Sequence, residues 1–296
     1  MATLKIKTLA ELETLRREPV DAETYVAAVD IVERVRTGGR PVLLAEAKRL
    51  GDITPGQPIS YDRDALESAV ESLDAEGREV LERTALRIET FAQGQRDQLL
   101  DLEMEIPGGK AGHTFAPVDS AGCYAPGGRF SLPSSVLMTA VTARVAGVTR
   151  VLVASPKPTA LTLAAAGIAG ADSLLAIGGA QVISAMAFGV EGVPACDVIV
   201  GPGNRWVTAA KRYVSGYVGI DMLAGPSELV VCGDRNADAN VVAADLIAQA
   251  EHDTDALPVL VTTSYKLISQ VNSALKEQLE SLPGRVTAEA ALASGF

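Results

Sequence analysis

Four glycine-bearing strings recur through the middle of this chain: Gly122-Cys123-Tyr124-Ala125-Pro126-Gly127-Gly128-Arg129, Gly178-Gly179-Ala180-Gln181, Gly201-Pro202-Gly203-Asn204 and Gly225-Pro226-Ser227-Glu228. Where such a string joins a strand to a helix, the missing Cβ lets backbone lie close to a ligand. The first turn of the helix then offers free N–H groups and a positive dipole end to an anion. Each string also carries one side chain able to orient a ligand: Tyr124, Gln181, Asn204 and Ser227. A single loop of this kind reads equally well as a tight turn that binds nothing. Four in order, on one edge of a parallel sheet, read as a site outside the carboxyl ends of the strands. Neither of the first two strings fits G-x-G-x-x-G, so the usual dinucleotide fingerprint is absent.

A second set of polar residues falls later. Asp245, Gln249 and His252 stand at i, i+4 and i+7 of a helix expected over residues 239–252, which puts them on one face. Their neighbours Ala243, Ala244, Leu246, Ile247 and Ala248 are apolar, so the line is not simply a solvated face. Zinc accepts imidazole and oxygen donors; a histidine near a helix C-terminus also serves as a dipole-stabilised cap. The chain has two histidines, His113 and His252, so Gln249 and His252 supply two ligands at most.

The elements that must hold these residues follow from composition and spacing. A length of 296 residues suits about two domains, and 48% hydrophobic with only 4% aromatic residues makes an aliphatic core. Lys plus Arg total 26 against 37 Asp plus Glu, a formal charge of −11 with no basic stripe, which argues against nucleic acid as partner. Three cysteines without a C-x-x-C pair suit a reducing compartment, and the N-terminus has no signal-peptide core; both indicate a cytoplasmic protein. Residues 158–190 carry one charge, but Gly167, Gly170 and Gly178-Gly179 cut them into pieces too short to span a membrane.

The first hundred residues read mostly as helix, over 21–37 and along the charged stretch 63–95. From about residue 118 the texture changes. Strands are expected at 120–124, 150–155, 173–177 and 197–200, alternating with helices at 134–146, 159–169, 181–189 and 204–215. A spacing of roughly 25 residues suits strand–helix–strand crossovers and hence a parallel sheet. A second set follows: strand 228–232, helix 239–251, strand 258–262, helix 266–281, and a final helix that stops at Gly295.

At these same residues the chain resembles the histidinol dehydrogenase family. The first glycine string, Leu132-Pro133-Ser134-Ser135-Val136-Leu137-Met138-Thr139-Ala140, Ile177-Gly178-Gly179-Ala180-Gln181, Val200-Gly201-Pro202-Gly203-Asn204, Gly219-Ile220-Asp221-Met222, Ala224-Gly225-Pro226-Ser227-Glu228 and Gln249-Ala250-Glu251-His252-Asp253 carry the resemblance. It covers residues 120 to about 262 and is looser over the first hundred. It implies a zinc enzyme that oxidises L-histidinol to L-histidine in two NAD-dependent steps through an aldehyde, and a homodimer. Carried over singly, Tyr124, Gln181 and Asn204 match NAD-binding positions. Ser227 matches a substrate contact, and Gln249 and His252 match zinc ligands that also meet substrate. Asp245 gains no role from it. The family's general bases and remaining zinc ligands fall in a later segment, so the chain is expected to be C-terminally truncated and, alone, inactive. Two other readings remain: a non-catalytic nucleotide-binding remnant, and a paralogue that oxidises another polyol or a sulfonated diol.

The expected architecture is α/β with two Rossmann-like units and a helical N-terminal region. Residues 1–22 form an N-terminal segment, 23–118 with 229–296 a first and incomplete unit, and 119–228 a second.

Overall fold

Side-chain caps set where many of the helices begin. The computed structural model describes residues 4–13, 20–53, 56–127, 131–224 and 227–296. After a short helix, α1 (Leu9–Glu13), comes α2 (Ala22–Arg49), opened by Asp21, whose carboxylate accepts from the Thr24 N–H. It is two helical stretches joined at Gly39, whose φ of 62° and ψ of −152° break the helix just before Pro41. A short strand β1 (Ser60–Asp62) leads into α3 (Arg63–Glu71), capped by Asp62, and α4 (Ala75–Arg96), capped by Asp74. The charged stretch 63–95 is therefore two helices, because Asp74 offers the backbone a fresh start. Next is a hairpin, β2 (Leu102–Ile106) and β3 (Gly109–His113).

Alternating elements follow: β4 (Ser120–Tyr124), α5 (Pro133–Val145), β5 (Arg150–Ala154), α6 (Ala160–Ile168), β6 (Ser173–Leu175), α7 (Gly179–Phe188), β7 (Val198–Val200), α8 (Arg205–Val214) and β8 (Gly219–Ile220). The chain closes with β9 (Glu228–Cys232), α9 (Ala239–Ala250), β10 (Leu257–Val261), α10 (Tyr265–Glu280) and α11 (Arg285–Ser294).

Two compact units result. In Val20–Leu223, six strands form one sheet in the order β1-β6-β5-β4-β7-β8. All neighbours run parallel except β1, which pairs antiparallel with β6, Tyr61 opposite Leu174. The expected parallel sheet thus carries one antiparallel edge strand. β4 lies at the centre, Gly122 level with Leu152 of β5 and Ile199 of β7, and is buried from end to end. Its small residues let helices close on both faces: a Cβ on Gly122 would stand 2.7 Å from the Met186 sulfur of α7.

The period of two divides the core. Tyr124, Leu152 and Ile199 face a layer of α2, α7 and α8 with Val32, Val35, Ile183, Met186 and Val207. Cys123, Val151 and Val153 face α3, α4, α5 and α6 with Leu66, Leu81, Val136 and Leu137. The helices of residues 22–96 thus cover this sheet. This grouping differs from the expected one, which tied 23–118 to 229–296. The physical reason is that α2, α3 and α4 bury their apolar stripes against the layers over β4 and β5.

The second unit joins Ala224–Phe296 with the N-terminal residues. β9 and β10 pair in parallel, Val230 opposite Val259. Leu246 and Ile247 of α9, Leu267, Val271 and Leu275 of α10, and Ala288 and Leu292 of α11 make its core. The Lys5 N–H donates to the Gly295 carbonyl at 3.3 Å, and the Leu4 N–H to Asn272 Oδ1 at 2.9 Å. Among the described residues no helix is long and apolar enough to cross a membrane.

Candidate functional site

From β4 the chain builds outward to β5 and β6 on one side, then returns to place β7 and β8 on the other. That reversal makes the carboxyl ends of β4 and β7 a topological switch point, the place where open α/β sheets bind ligands. Residues 124–127 and 201–204 leave the sheet there. Gly201 has a φ of 116°, and a Cβ on it would lie 2.0 Å from the Tyr124 carbonyl oxygen, so the two loops touch through backbone alone. Gly128 and Arg129 of the first string, and Gly225 and Pro226 of the fourth, lie outside the described residues.

Both backbone poles of Gly201 are tied. Its N–H donates to Asp221 Oδ2 at 2.8 Å, and its carbonyl accepts from Lys211 Nζ at 3.0 Å. Lys211, only 2% exposed, also pairs with Asp221 Oδ1, which takes the Met222 N–H at 2.7 Å as well. Asn204 caps α8, its Oδ1 accepting from the Trp206 and Val207 N–H groups at 3.0 and 3.2 Å. The cap role and a ligand role are compatible, since Asn204 is exposed and a cap uses only its oxygen.

Tyr124 is buried, and burial pushes its phenol up to about 12, so it stays neutral at any physiological pH; the Gly179 N–H at its hydroxyl pulls weakly the other way. That contact links the β4 loop to the start of α7. There Gln181, fully buried, donates from Nε2 to Asp52 Oδ2 at 3.0 Å, beside the Gly178 N–H at the same distance. Gln181 Oε1 is buried without a hydrogen-bond partner. Burial raises the Asp52 carboxyl above its ordinary range, against the pull of Gly178, Gln181 and the Lys157 charge. Asp52 and Lys157 line a cavity of about 200 Å³ with Tyr61, Gln57 and Ile59. Lys157 itself holds a left-handed φ of 48°, unusual for a residue with a side chain.

The structure thus brings Tyr124, Gln181 and Asn204 to one edge of one sheet, as expected. Three partners escaped the sequence reading. Asp52 stands alone in a turn and gives no signal. Lys211 could have been found, because a lysine among Val207, Thr208, Ala209, Ala210 and Val214 sits on the apolar face of its helix. Asp221 lies within one of the family-like strings, though no role attached to it.

The remaining residues belong to the second unit. Ser227 is exposed, and its carbonyl accepts the Leu257 N–H at 3.0 Å where β9 and β10 begin to pair. Gln249 is half-buried at the end of α9, with Nε2 buried and unpartnered. His252 is exposed just beyond the helix, its backbone N–H donating to the Gln249 carbonyl at 3.3 Å. Asp245 is exposed one turn earlier. Among the described residues no three His, Cys, Asp or Glu side chains gather as a metal cluster. His113 lies in β3, edge-on to Phe115 at 5.1 Å between ring centroids.

Known proteins share this plan. The family model for histidinol dehydrogenase matches residues 15–296, well beyond the block that carried the resemblance. The histidinol dehydrogenase of Parasynechococcus marenigrum (strain WH8102) is 44% identical over 292 residues, 96% of this chain and 66% of that protein. That of Haloarcula marismortui is 44% identical over 298 residues, 98% of this chain and 70% of that one. The crystal structure of histidinol dehydrogenase from Elizabethkingia anophelis superposes with a TM-score of 0.84 at 29% identity, covering all of this chain and 70% of the other. The chain therefore spans about two thirds of the length of the relatives it matches.

Proposed function

Because this chain belongs to the histidinol dehydrogenase family, we propose that it serves the oxidation of L-histidinol to L-histidine through L-histidinal, with two NAD+ and bound zinc, in histidine biosynthesis. The observation that carries this is the switch point between β4 and β7, with Tyr124, Gln181 and Asn204 along one sheet edge. At each oxidation the cofactor, when bound, would accept one hydride from the substrate carbon; the alcohol step releases one proton, and the aldehyde step takes up one water and releases two protons as the carboxylate forms. The cofactor supplies the hydride chemistry and the chain supplies its grip. Tyr124 offers a neutral hydroxyl, Gln181 a buried carbonyl oxygen in search of a donor, and Asn204 a carboxamide at the positive end of α8.

Gln249 and His252 would hold the zinc, and with Ser227 meet the substrate. Their chemistry fits: a neutral imidazole and a carboxamide oxygen are zinc donors. Gln249 also has a buried carboxamide atom with no partner, and half a turn of the amide exchanges nitrogen for oxygen there. The chemistry a bound zinc supplies is Lewis-acid anchoring of the substrate's nitrogen atoms. We also assign a cytoplasmic homodimer. The apolar residues left exposed along the hairpin, Leu102, Met104 and Ile106, support a covered surface.

The test is turnover. The full-length protein given histidinol, NAD+ and Zn2+ should yield two NADH per histidinol consumed, and the 296-residue chain alone none. Preference for another polyol or a sulfonated diol by orders of magnitude in kcat/KM would make the protein a paralogue of different specificity. Tight NAD+ binding without NADH formation by the full-length protein would favour the non-catalytic reading.

A further inference from the structure

Lys211 is a buried ammonium on a helix whose other inward residues, Thr208 apart, are apolar. Burying such a charge costs several kcal/mol unless it is paired and hydrogen-bonded. A methionine would fill the same space without that cost, so the charge calls for an explanation in what it holds. It holds a single residue, Gly201, through the carbonyl, while its partner Asp221 holds the same residue through the N–H. Gly201 cannot be replaced by a larger residue whose side chain might fix the loop, because Tyr124 backbone occupies the space a Cβ needs. An external clamp is the remaining way to fix it.

We propose that the Lys211–Asp221 pair is a positioning clamp, which sets dinucleotide affinity by holding the 201–204 loop at the switch point. The inference rests on the reading that NAD binds along this edge. Both residues act through Gly201. The three hydrogen bonds to Asp221, from Lys211, Gly201 and Met222, leave its carboxylate engaged with the protein on both oxygens. Lys211 lies seven residues, two helical turns, beyond Asn204 on α8. One helix thus carries the clamp at one end and the ligand-facing cap at the other, and the loop between strand and helix is fixed from both sides.

Trp206, the one tryptophan of the sequence, is two residues from Asn204 and 37% exposed, so its fluorescence reports on the loop. The experiment titrates NAD+ into the 296-residue chain and its variants, with melting temperature measured on each. Lys211→Met combined with Asp221→Leu removes the clamp without leaving a lone buried charge. It should fold and lose NAD+ affinity by at least about tenfold, on the view that preorganised loops bind tighter. Lys211→Arg should recover most of the loss. Leu66→Val, a small cavity in α3 away from the loop, should lower the melting temperature and leave affinity unchanged. If the double variant folds and binds NAD+ like the parent, or if Leu66→Val weakens binding equally, the clamp is overturned. Should the double variant fail to fold, Asp221→Asn decides by the same criterion. A parent chain that does not bind NAD+ would instead strike the nucleotide reading itself, and the clamp would fall with it.

Discussion

At the switch point, most polar groups are tied to one another, though Gln181 Oε1 is buried without a partner: Gly201 to Lys211 and Asp221, Gly178 and Gln181 Nε2 to Asp52, Asn204 to the first turn of α8. At the end of α9 the side chains are less engaged. Ser227 and His252 are exposed and Gln249 keeps an unpartnered buried carboxamide nitrogen. The contrast follows from what each region would hold. A dinucleotide is gripped by backbone and shape, which reward a loop with one conformation. A metal must be met by donors whose lone pairs are not already engaged.

The strongest way to break the comparison is to strain each region with one methyl group. Gly201→Ala should cost at least about 3 kcal/mol in urea unfolding, since its φ of 116° and the Tyr124 carbonyl at 2.0 Å leave no room to yield. Gly284→Ala in the second unit should cost under about 1 kcal/mol, because its Cβ meets only the tip of the Glu251 side chain, at 2.8 Å, which can swing away. Equal costs would mean that the switch-point loop is no more constrained than an ordinary surface turn.

Thiol chemistry sharpens the same line. Burial pushes Cys123 and Cys196 up to about 12, while Cys232 on β9 is exposed. At pH 8 a thiol near that value is roughly one part in ten thousand thiolate. A disulfide reagent should therefore titrate one thiol rapidly in the native chain and all three in denaturant. Two fast thiols would show that the sheet of residues 20–223 opens readily.

Asp52 gives a smaller effect with a definite sign. Its folded pKa lies above the unfolded value of about 3.9. The folded state therefore holds the proton longer, binds more protons across that window, and loses stability as pH rises through it. Asp52→Asn keeps an acceptor for the Gly178 N–H and removes the titration. It should stabilise the chain at pH 7 by under about 1 kcal/mol, since water still reaches the site and screens the charge. The gain should vanish below about pH 4. A variant less stable at neutral pH would mean that the charge itself holds Gly178 and Gln181.

How much of this was legible in the sequence depends on range. Strands β4, β5, β7, β9 and β10 were readable because each is an apolar run bounded by Gly, Pro or Asp, and helices α6, α8 and α9 because caps at Thr159, Asn204 and Asp238 mark their starts. β2 and β3 were missed although Leu102-Glu103-Met104-Glu105-Ile106 alternates with period two and Pro107-Gly108 marks the turn; the charged helix before them masked the signal. β1 escaped because a three-residue edge strand exists only through its pairing with β6. For the site, Tyr124, Gln181 and Asn204 were marked by their glycine strings. Asp52 and Asp221 were not, since each acts on a loop distant in sequence, 126 residues away for Gly178 and 20 for Gly201. The unit boundary was misplaced for the same reason: which sheet an amphipathic helix covers is a tertiary fact.

The last test concerns the loose region and expects almost no change in stability. His252 is exposed, and its one hydrogen bond among the described residues, the N–H to the Gln249 carbonyl, belongs to the backbone. His252→Ala should therefore shift unfolding by no more than about 0.5 kcal/mol. Gln249→Ala trades a buried carboxamide without a partner for lost methylene packing, two terms of opposite sign, and should also fall near zero. Zinc retention by the full-length protein, read by elemental analysis after gel filtration, should disappear in both. The rise in melting temperature that zinc would give the parent by mass action should vanish with it. Stability and metal affinity would then separate at the end of α9, whereas at Gly201 the fold and the proposed ligand surface are the same atoms. If His252→Ala instead destabilised the chain by 2 kcal/mol or more, or kept its zinc, the imidazole would be a structural cap at the helix end, and the two regions would differ in degree only.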